Sequence, residues 1–149
     1  MRVYIGSDYR GFELKKKLLD FLAENGLDVT DKGAYEYNEG DDFNDPAIAV
    51  SEAVREDYGS RGILICDSAH GVTMQANRFK GIRAAHCNTT ESAKLAREHD
   101  DANILCLSAH SIDEENAKKI IETFLETDFV EFERRVRRIN RLDERNYYD

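Results

Sequence analysis

The 149-residue chain has no tryptophan, one proline, only three cysteines and no long hydrophobic run. The cysteines, Cys66, Cys87 and Cys106, are odd in number and none sits in a C-x-x-C pair. Neither a disulfide framework nor a zinc finger is therefore indicated, and a reducing cytosol is the expected compartment, which makes the protein cytoplasmic. Apolar runs such as Ile63–Cys66 are far too short to span a bilayer, so no membrane partner is expected. The chain begins directly on a strand-like segment, and no signal peptide is expected. Positive charge is in short supply: 21 Lys and Arg stand against 30 Asp and Glu, and the net charge of −9 argues against nucleic acid as a general partner. Internal repeats, linkers and low-complexity segments are lacking too, so a single domain over residues 1–149 is expected.

What is present is a soluble globular composition, 41% hydrophobic and 34% charged. Short β-rich runs alternate with helical patterns. Arg2–Ser7 reads as a strand. Phe12–Asn25 carries Leu14, Leu18, Phe21 and Leu22 on one helical face, with Gly26 as its stop. Leu27–Lys32 reads as a strand and Glu36–Asp45 as an acidic surface loop. Pro46 fits the first turn of a helix reaching about Tyr58. Arg61–Cys66 has the continuous apolar character of a buried parallel strand. Then follow helix Gly71–Phe79, strand Ile82–Cys87, helix Thr89–His99 capped by Thr90 or Asn88, strand Asn103–Ser108 and helix Asp113–Leu125. A tail helix is expected from about residue 128, with Phe129, Phe132, Val136, Ile139 and Leu142 on one stripe. This alternation predicts a Rossmann-like three-layer α/β/α sandwich with a five-stranded parallel sheet and a C-terminal tail helix.

In such sheets the ligand site lies beyond the carboxyl ends of the strands. The residues to weigh there are Asp8-Tyr9-Arg10, Cys66-Asp67-Ser68, Cys87-Asn88 and Ser108-Ala109-His110. Cys66 ends the most hydrophobic strand just before a helix, where a thiolate is favoured and can remove a proton next to a carbonyl. Equally, it reads as a small buried hydrophobe. Ser68 and Gly71 flank a turn whose N–H groups suit an oxyanion, or simply cap a helix. His99 ends a helix, where it can move a proton or merely complement the helix dipole. Asp8 can hold a hydroxyl or cap the next turn. Six arginines between Arg134 and Arg145 form a basic stretch, suited to an anionic substrate, a partner subunit or a solvated helix face.

Several long segments in order resemble the ribose-5-phosphate isomerase B and galactose-6-phosphate isomerase family. They are I-G-S-D-Y-R-G-F-E-L-K at Ile5–Lys15, R-G-I-L-I-C at Arg61–Cys66, A-N-R-F-K-G-I-R-A-A at Ala76–Ala85, and R-E-H-D-D-A-N-I-L-C-L at Arg97–Leu107. The resemblance runs from Met1 to about Phe129. It implies interconversion of an aldose phosphate and a ketose phosphate through an enediol, with no metal or other cofactor, in a homodimer whose active site lies at the subunit interface. By position, Cys66 resembles the family's base, Ser68 the hydroxyl that helps ring opening and His99 the ring-opening histidine. Asp8 resembles the aspartate that holds the sugar, Phe43 stands where the family usually has tyrosine, and Arg135 resembles a phosphate-binding arginine of the tail.

The departures from the family pattern fall on the substrate contacts. Tyr9 replaces a histidine. The loop Cys66-Asp67-Ser68-Ala69-His70-Gly71 has Asp67 and Ala69 where the family has glycines. Ala69 is expected to resist a positive φ, and Asp67 to need a cationic partner, for which His70 is the candidate. His110 stands in place of an arginine, Glu131 falls near another, and Asp100 replaces an amide. Arg10, Arg134, Arg137 and Arg138 are the available replacement charge. This pattern points to an isomerase with an altered substrate or to a non-catalytic sugar- or metabolite-binding member of the family. A phosphoacceptor receiver lacks its lysine after the fifth strand. A metal site on Asp67, His70 and His110 lacks tight ligand spacing, and a Cys66/His99 hydrolase lacks a third orienting group.

Overall fold

The structure, a computed structural model, describes residues 1–144. Arg145 of the basic stretch lies outside them. Five parallel strands form one sheet: β1 (Arg2–Ser7), β2 (Asp28–Asp31), β3 (Arg61–Cys66), β4 (Ala84–His86) and β5 (Ile104–Ser108), in the order β2-β1-β3-β5-β4. Six helices connect and follow them: α1 (Phe12–Glu24), α2 (Asn44–Glu56), α3 (His70–Ala76), α4 (Thr90–Asp100), α5 (Glu114–Glu126) and α6 (Glu133–Arg141).

Alternation along the strands divides the interior into two layers. Val3, Ile5, Ile63, Ile65, Leu105 and Leu107 face α1, α4 and α5, whose Leu18, Leu22, Ala93, Ile120 and Phe124 are fully buried. Tyr4, Leu64, Cys66, Ile104 and Cys106 face α2 and α3, packing on Val50, Val54, Val72 and Ala76. β3 and β5 are covered on both faces, which is why their sequences are apolar without alternation. The buried Lys15 ammonium lies 2.9 Å from Asp31 and also donates to the Ala34 carbonyl, tying α1 to the end of β2.

Differences from expectation lie at element ends. Helix α4 is capped by Thr89, whose Oγ1 accepts from the Ser92 N–H at 3.1 Å, rather than by Thr90 or Asn88. β4 is shorter than expected because Ile82 and Arg83 bond elsewhere, to the Phe79 carbonyl and the Asn103 side chain. Helix α3 ends at Ala76, three residues early. The tail does not become helical at residue 128. Thr127 and Phe132 are extended, and the intervening strap is fastened to α4 by Val130 N–H to the Glu98 carbonyl and by Arg97 to the Thr127 carbonyl. Helix α6 then buries none of its residues.

Candidate active site

The carboxyl ends of β1, β3 and β5 meet at Cys66. The chain leaves β1 through a 3-10 turn over Tyr9–Gly11, and Asp8 Oδ1 accepts from the Arg10 and Gly11 N–H groups at 3.0 and 3.2 Å. The capping reading of Asp8 therefore holds, and it places the carboxylate beside the thiol. The turn fits only because residue 11 is glycine: a Cβ there would come within 2.6 Å of Ile65. Burial pushes the Asp8 carboxyl up; the Gly11 and Arg10 N–H groups oppose this, and the nearby Asp41 and Asp67 carboxylates add to it.

Cys66 is 5% exposed. Burial pushes its thiol up, the N–H groups of Val72, Ala69 and Gly71 pull it down, and Asp8 raises it again. For this thiol desolvation outweighs the effect of a helix of one to two turns. The N–H groups of Val72, Ala69 and Gly71 nonetheless favour negative charge at the sulfur, so the loop forms a nest beside the thiol. Its shape is held from β5. The Asp67 carbonyl accepts from Ser108 Oγ at 2.7 Å and His110 N–H at 3.0 Å, and the Cys66 carbonyl accepts from Ala109 N–H at 2.9 Å.

Ala69 adopts φ +70° despite its Cβ, so the loop keeps its course at a cost of about 1 kcal/mol relative to glycine. Ser68 Oγ accepts from His70 N–H at 3.3 Å and stays exposed. Asp67 faces His110, not His70, with Nδ1 and Oδ1 3.9 Å apart and both side chains mostly exposed. His70 instead stands edge-on to His86, 5.8 Å between ring centres. Gly71 carries the Phe43 ring directly on its backbone; a Cβ would sit 2.8 Å from the ring. Tyr9 is half-buried, with the Arg10 guanidinium over its ring at 5.2 Å and Tyr37 at its edge.

The acidic loop is a surface segment as expected, mostly exposed, and its inner side also forms a wall of this site. Besides Phe43 it supplies Asp41, whose Oδ1 accepts from the Tyr9 N–H at 3.2 Å while its Oδ2 is buried without a partner. Its only sequence signal was nearness to Phe43.

Three predicted residues are elsewhere. Cys66 pairs with Ser108 at the carboxyl end of the sheet, and Gly62 with Ile104 at the other. His99 and Asp100 precede Ile104, in the last turn of α4, so about 13 Å of strand or more separates them from Cys66. Arg135 is at their end, donating to the Glu98 and Val130 carbonyls at 3.1 and 2.9 Å. The chain therefore holds Asp8, Tyr9, Arg10, Phe43, Cys66, Asp67, Ser68, His70, Gly71 and His110 around one centre, and His99, Asp100 and Arg135 around another. Among the described residues no group of three His, Cys, Asp or Glu side chains is placed to hold a metal ion. No described helix is long and apolar enough to cross a membrane.

Residues 3–142 match the family model described as Ribose/Galactose Isomerase. A probable ribose-5-phosphate isomerase B of Mycoplasma pneumoniae is 42% identical over 127 residues, 85% of this chain and 84% of that one. A D-erythrulose-4-phosphate isomerase of Pectobacterium atrosepticum is 36% identical over 87% of this chain and 85% of its own. Among solved structures, a ribose 5-phosphate isomerase from Thermotoga maritima superimposes with a TM-score of 0.92 at 40% identity, covering 97% and 98% of the two chains. Ribose-5-phosphate isomerase B from Mycoplasma genitalium with bound ribulose-5-phosphate gives 0.92 at 36% identity over 96% and 94%. With its five-stranded parallel sheet and its buried cysteine at the end of β3, the chain belongs to the ribose/galactose isomerase family.

Proposed function

We propose that the protein is a cytoplasmic aldose–ketose isomerase acting on a small sugar phosphate, and that it works as a homodimer with each active site shared between two subunits. The observation that carries this reading is the buried Cys66 thiol at the carboxyl end of β3, beside the Asp8 carboxylate that caps the turn after β1. In the proposed reaction the Cys66 thiolate takes the proton from the hydroxyl-bearing carbon next to the aldehyde. The carbonyl oxygen gains a proton, giving the enediol. The thiol then returns its proton to the former aldehyde carbon while the neighbouring hydroxyl loses one, giving the ketose. Asp8 holds a sugar hydroxyl, and the nest stabilises charge on oxygen.

Ring opening is assigned to His99 with help from Ser68. Since one subunit keeps His99 at the far end of its sheet, the complete site takes Cys66 from one subunit and His99 from its partner. The subunit that delivers His99 delivers Asp100 and Arg135 with it, which brings a guanidinium for the phosphate. Helix α6, with no residue buried in its own subunit, is available to embrace the partner. All three cysteines are buried and unpaired, in keeping with a reducing compartment. Phosphorylated pentoses and tetroses are the substrates to try first, because both occur in the names of the relatives.

The test is aldose–ketose exchange, followed by NMR or a coupled assay, on wild type and Cys66→Ala. Loss of about 10² to 10⁴ in turnover with unchanged binding is expected. Binding of a sugar phosphate without turnover by the wild type, or a Cys66→Ala rate within about tenfold of wild type, would sink the reading.

A further inference from the structure

A cavity lies at the opposite end of the sheet from Cys66, where β3, β4 and β5 begin. Its volume is about 490 Å³. In a chain of net charge −9 its lining includes Arg55, Arg61, Lys80, Arg83 and Arg97, with Asp101 the one carboxylate among them. That carboxylate is already shared: Arg97 takes its Oδ1 at 2.8 Å and Arg83 its Oδ2 at 3.2 Å. Arg55, Arg61 and Lys80 make no ion pair among the described residues. Concentrating cations in a concave, half-dry site is costly unless an anion is bound there.

Two buried polar atoms in the same lining also lack partners. Ser60 is 3% exposed and its Oγ has no hydrogen-bond partner, and neither does the buried Nε of Arg61. Arg61 spends Nη1 on the Ser60 carbonyl at 3.0 Å, so its remaining donors are uncommitted. Burial and the Arg97 and Arg83 charges destabilise its cation, partly offset by Asp101 and Asp128. The Arg61 guanidinium, together with Arg55 and Lys80 in the same lining, supplies the charge-assisted donors that a phosphate group needs. Tyr58, fully exposed at the mouth, offers a ring to whatever the phosphate carries.

We propose that this cavity is a non-catalytic binding site for a small phosphate-bearing anion, at the end of the sheet opposite the same chain's Cys66. It uses none of the residues assigned to catalysis. It does adjoin them, because Arg97 and Asp101 bracket His99 in the last turn of α4, so occupancy bears on the element that presents His99.

The experiment follows backbone amide shifts of the full chain during titration with inorganic phosphate, ribose 5-phosphate and adenosine 5′-monophosphate. The expected result is saturable shifts at Gly59, Ser60 and Gly81, separate from those at Cys66–Gly71. The exposed pair Arg55→Glu, Lys80→Glu should raise the Kd at this site at least tenfold while leaving catalytic-end shifts unchanged. Shifts with inorganic phosphate alone establish the phosphate itself as the recognised group, and tighter binding of the nucleotide adds Tyr58 to the site. Shifts confined to the Cys66 end, or a Kd unaltered in the double variant, would overturn the proposal. So would a single-stranded oligonucleotide that displaces phosphate at far lower concentration, which would make the surface a polyanion contact.

Discussion

Replacing Arg97 by methionine removes the one side chain that fastens the end of α4, the β5 lead-in and the tail strap together. The guanidinium is 2% exposed and donates to the Thr127 carbonyl at 3.0 Å, the Asp101 carboxylate at 2.8 Å and the Ala102 carbonyl at 2.6 Å. Three charge-assisted bonds at about 1.5–3 kcal/mol each set an upper limit well above what will be lost. Asp101 keeps Arg83, and water can reach the half-buried Thr127. Only the Ala102 carbonyl, on a 2% exposed residue, is left bare. Methionine fills most of the volume against Phe124. The expected cost is therefore about 1–3 kcal/mol, that of leaving one buried carbonyl unpaired. In a domain of ordinary stability that is a sizeable share of the total, and it lowers Tm by roughly 2–12 °C. The assay is urea unfolding of wild type and variant at equal protein concentration, since association would shift both midpoints. Because the same bonds set the last turn of α4, kcat should fall with stability. A loss below about 1 kcal/mol would refute the reasoning and reduce Arg97 to packing.

Three further outcomes follow from the site. Cys66 must lose a proton to act and burial holds its thiol above the ordinary cysteine value, so kcat/KM should keep rising with pH beyond about 8.5; a plateau already reached below pH 7 would contradict this. For stability the sign is the reverse. Burial of the neutral thiol contributes below the unfolded cysteine pKa, and that contribution is lost as pH rises through the higher folded value. Gly71→Ala should cost about 1–3 kcal/mol by pushing the Phe43 ring, and Phe43→Ala in the same chain should relieve that clash; equal Tm for wild type and Gly71→Ala would deny the contact. The double variant Asp67→Gly, His110→Arg should raise kcat/KM on ribose 5-phosphate about tenfold or more, since one charge-assisted phosphate bond is worth that much; no change would mean that the tail arginines already compensate.

The sheet was legible because β3 and β5 are buried on both faces and so write continuous apolar runs, while α1 and α5 write clear helical stripes. Ends set by side-chain bonds were not. Thr89 and Thr90 are chemically alike, and only the extended backbone at Thr89 decides which one caps α4. The tail strap was misread as helix because the bonds that extend it come from Arg97 and Glu98, some thirty residues away. Within the site, Cys66, Asp8, Ser68 and Gly71 were readable from their places after strands. The wall formed by Asp41 was not, because an acidic loop looks the same in sequence whether it is solvated or folded over a neighbouring turn. Pairing of Asp67 with His110 rather than His70 was equally hidden, since it depends on β5 lying beside β3. The thiol of Cys66 shows how two sequence-level forces, burial and a helix start, need the folded geometry to decide between them.

The central claim, that one active site takes Cys66 from one subunit and His99 from the other, is tested by mixing two dead variants. Cys66→Ala and His99→Asn homodimers should each be nearly inactive. After co-refolding in equal amounts, half the dimers are mixed, and each mixed dimer has one doubly damaged site and one intact site. About a quarter of the wild-type activity should return, following the fraction of mixed dimer. No recovery, with mixed dimers shown to be present, would place Cys66 and His99 in the same subunit's site and contradict the account.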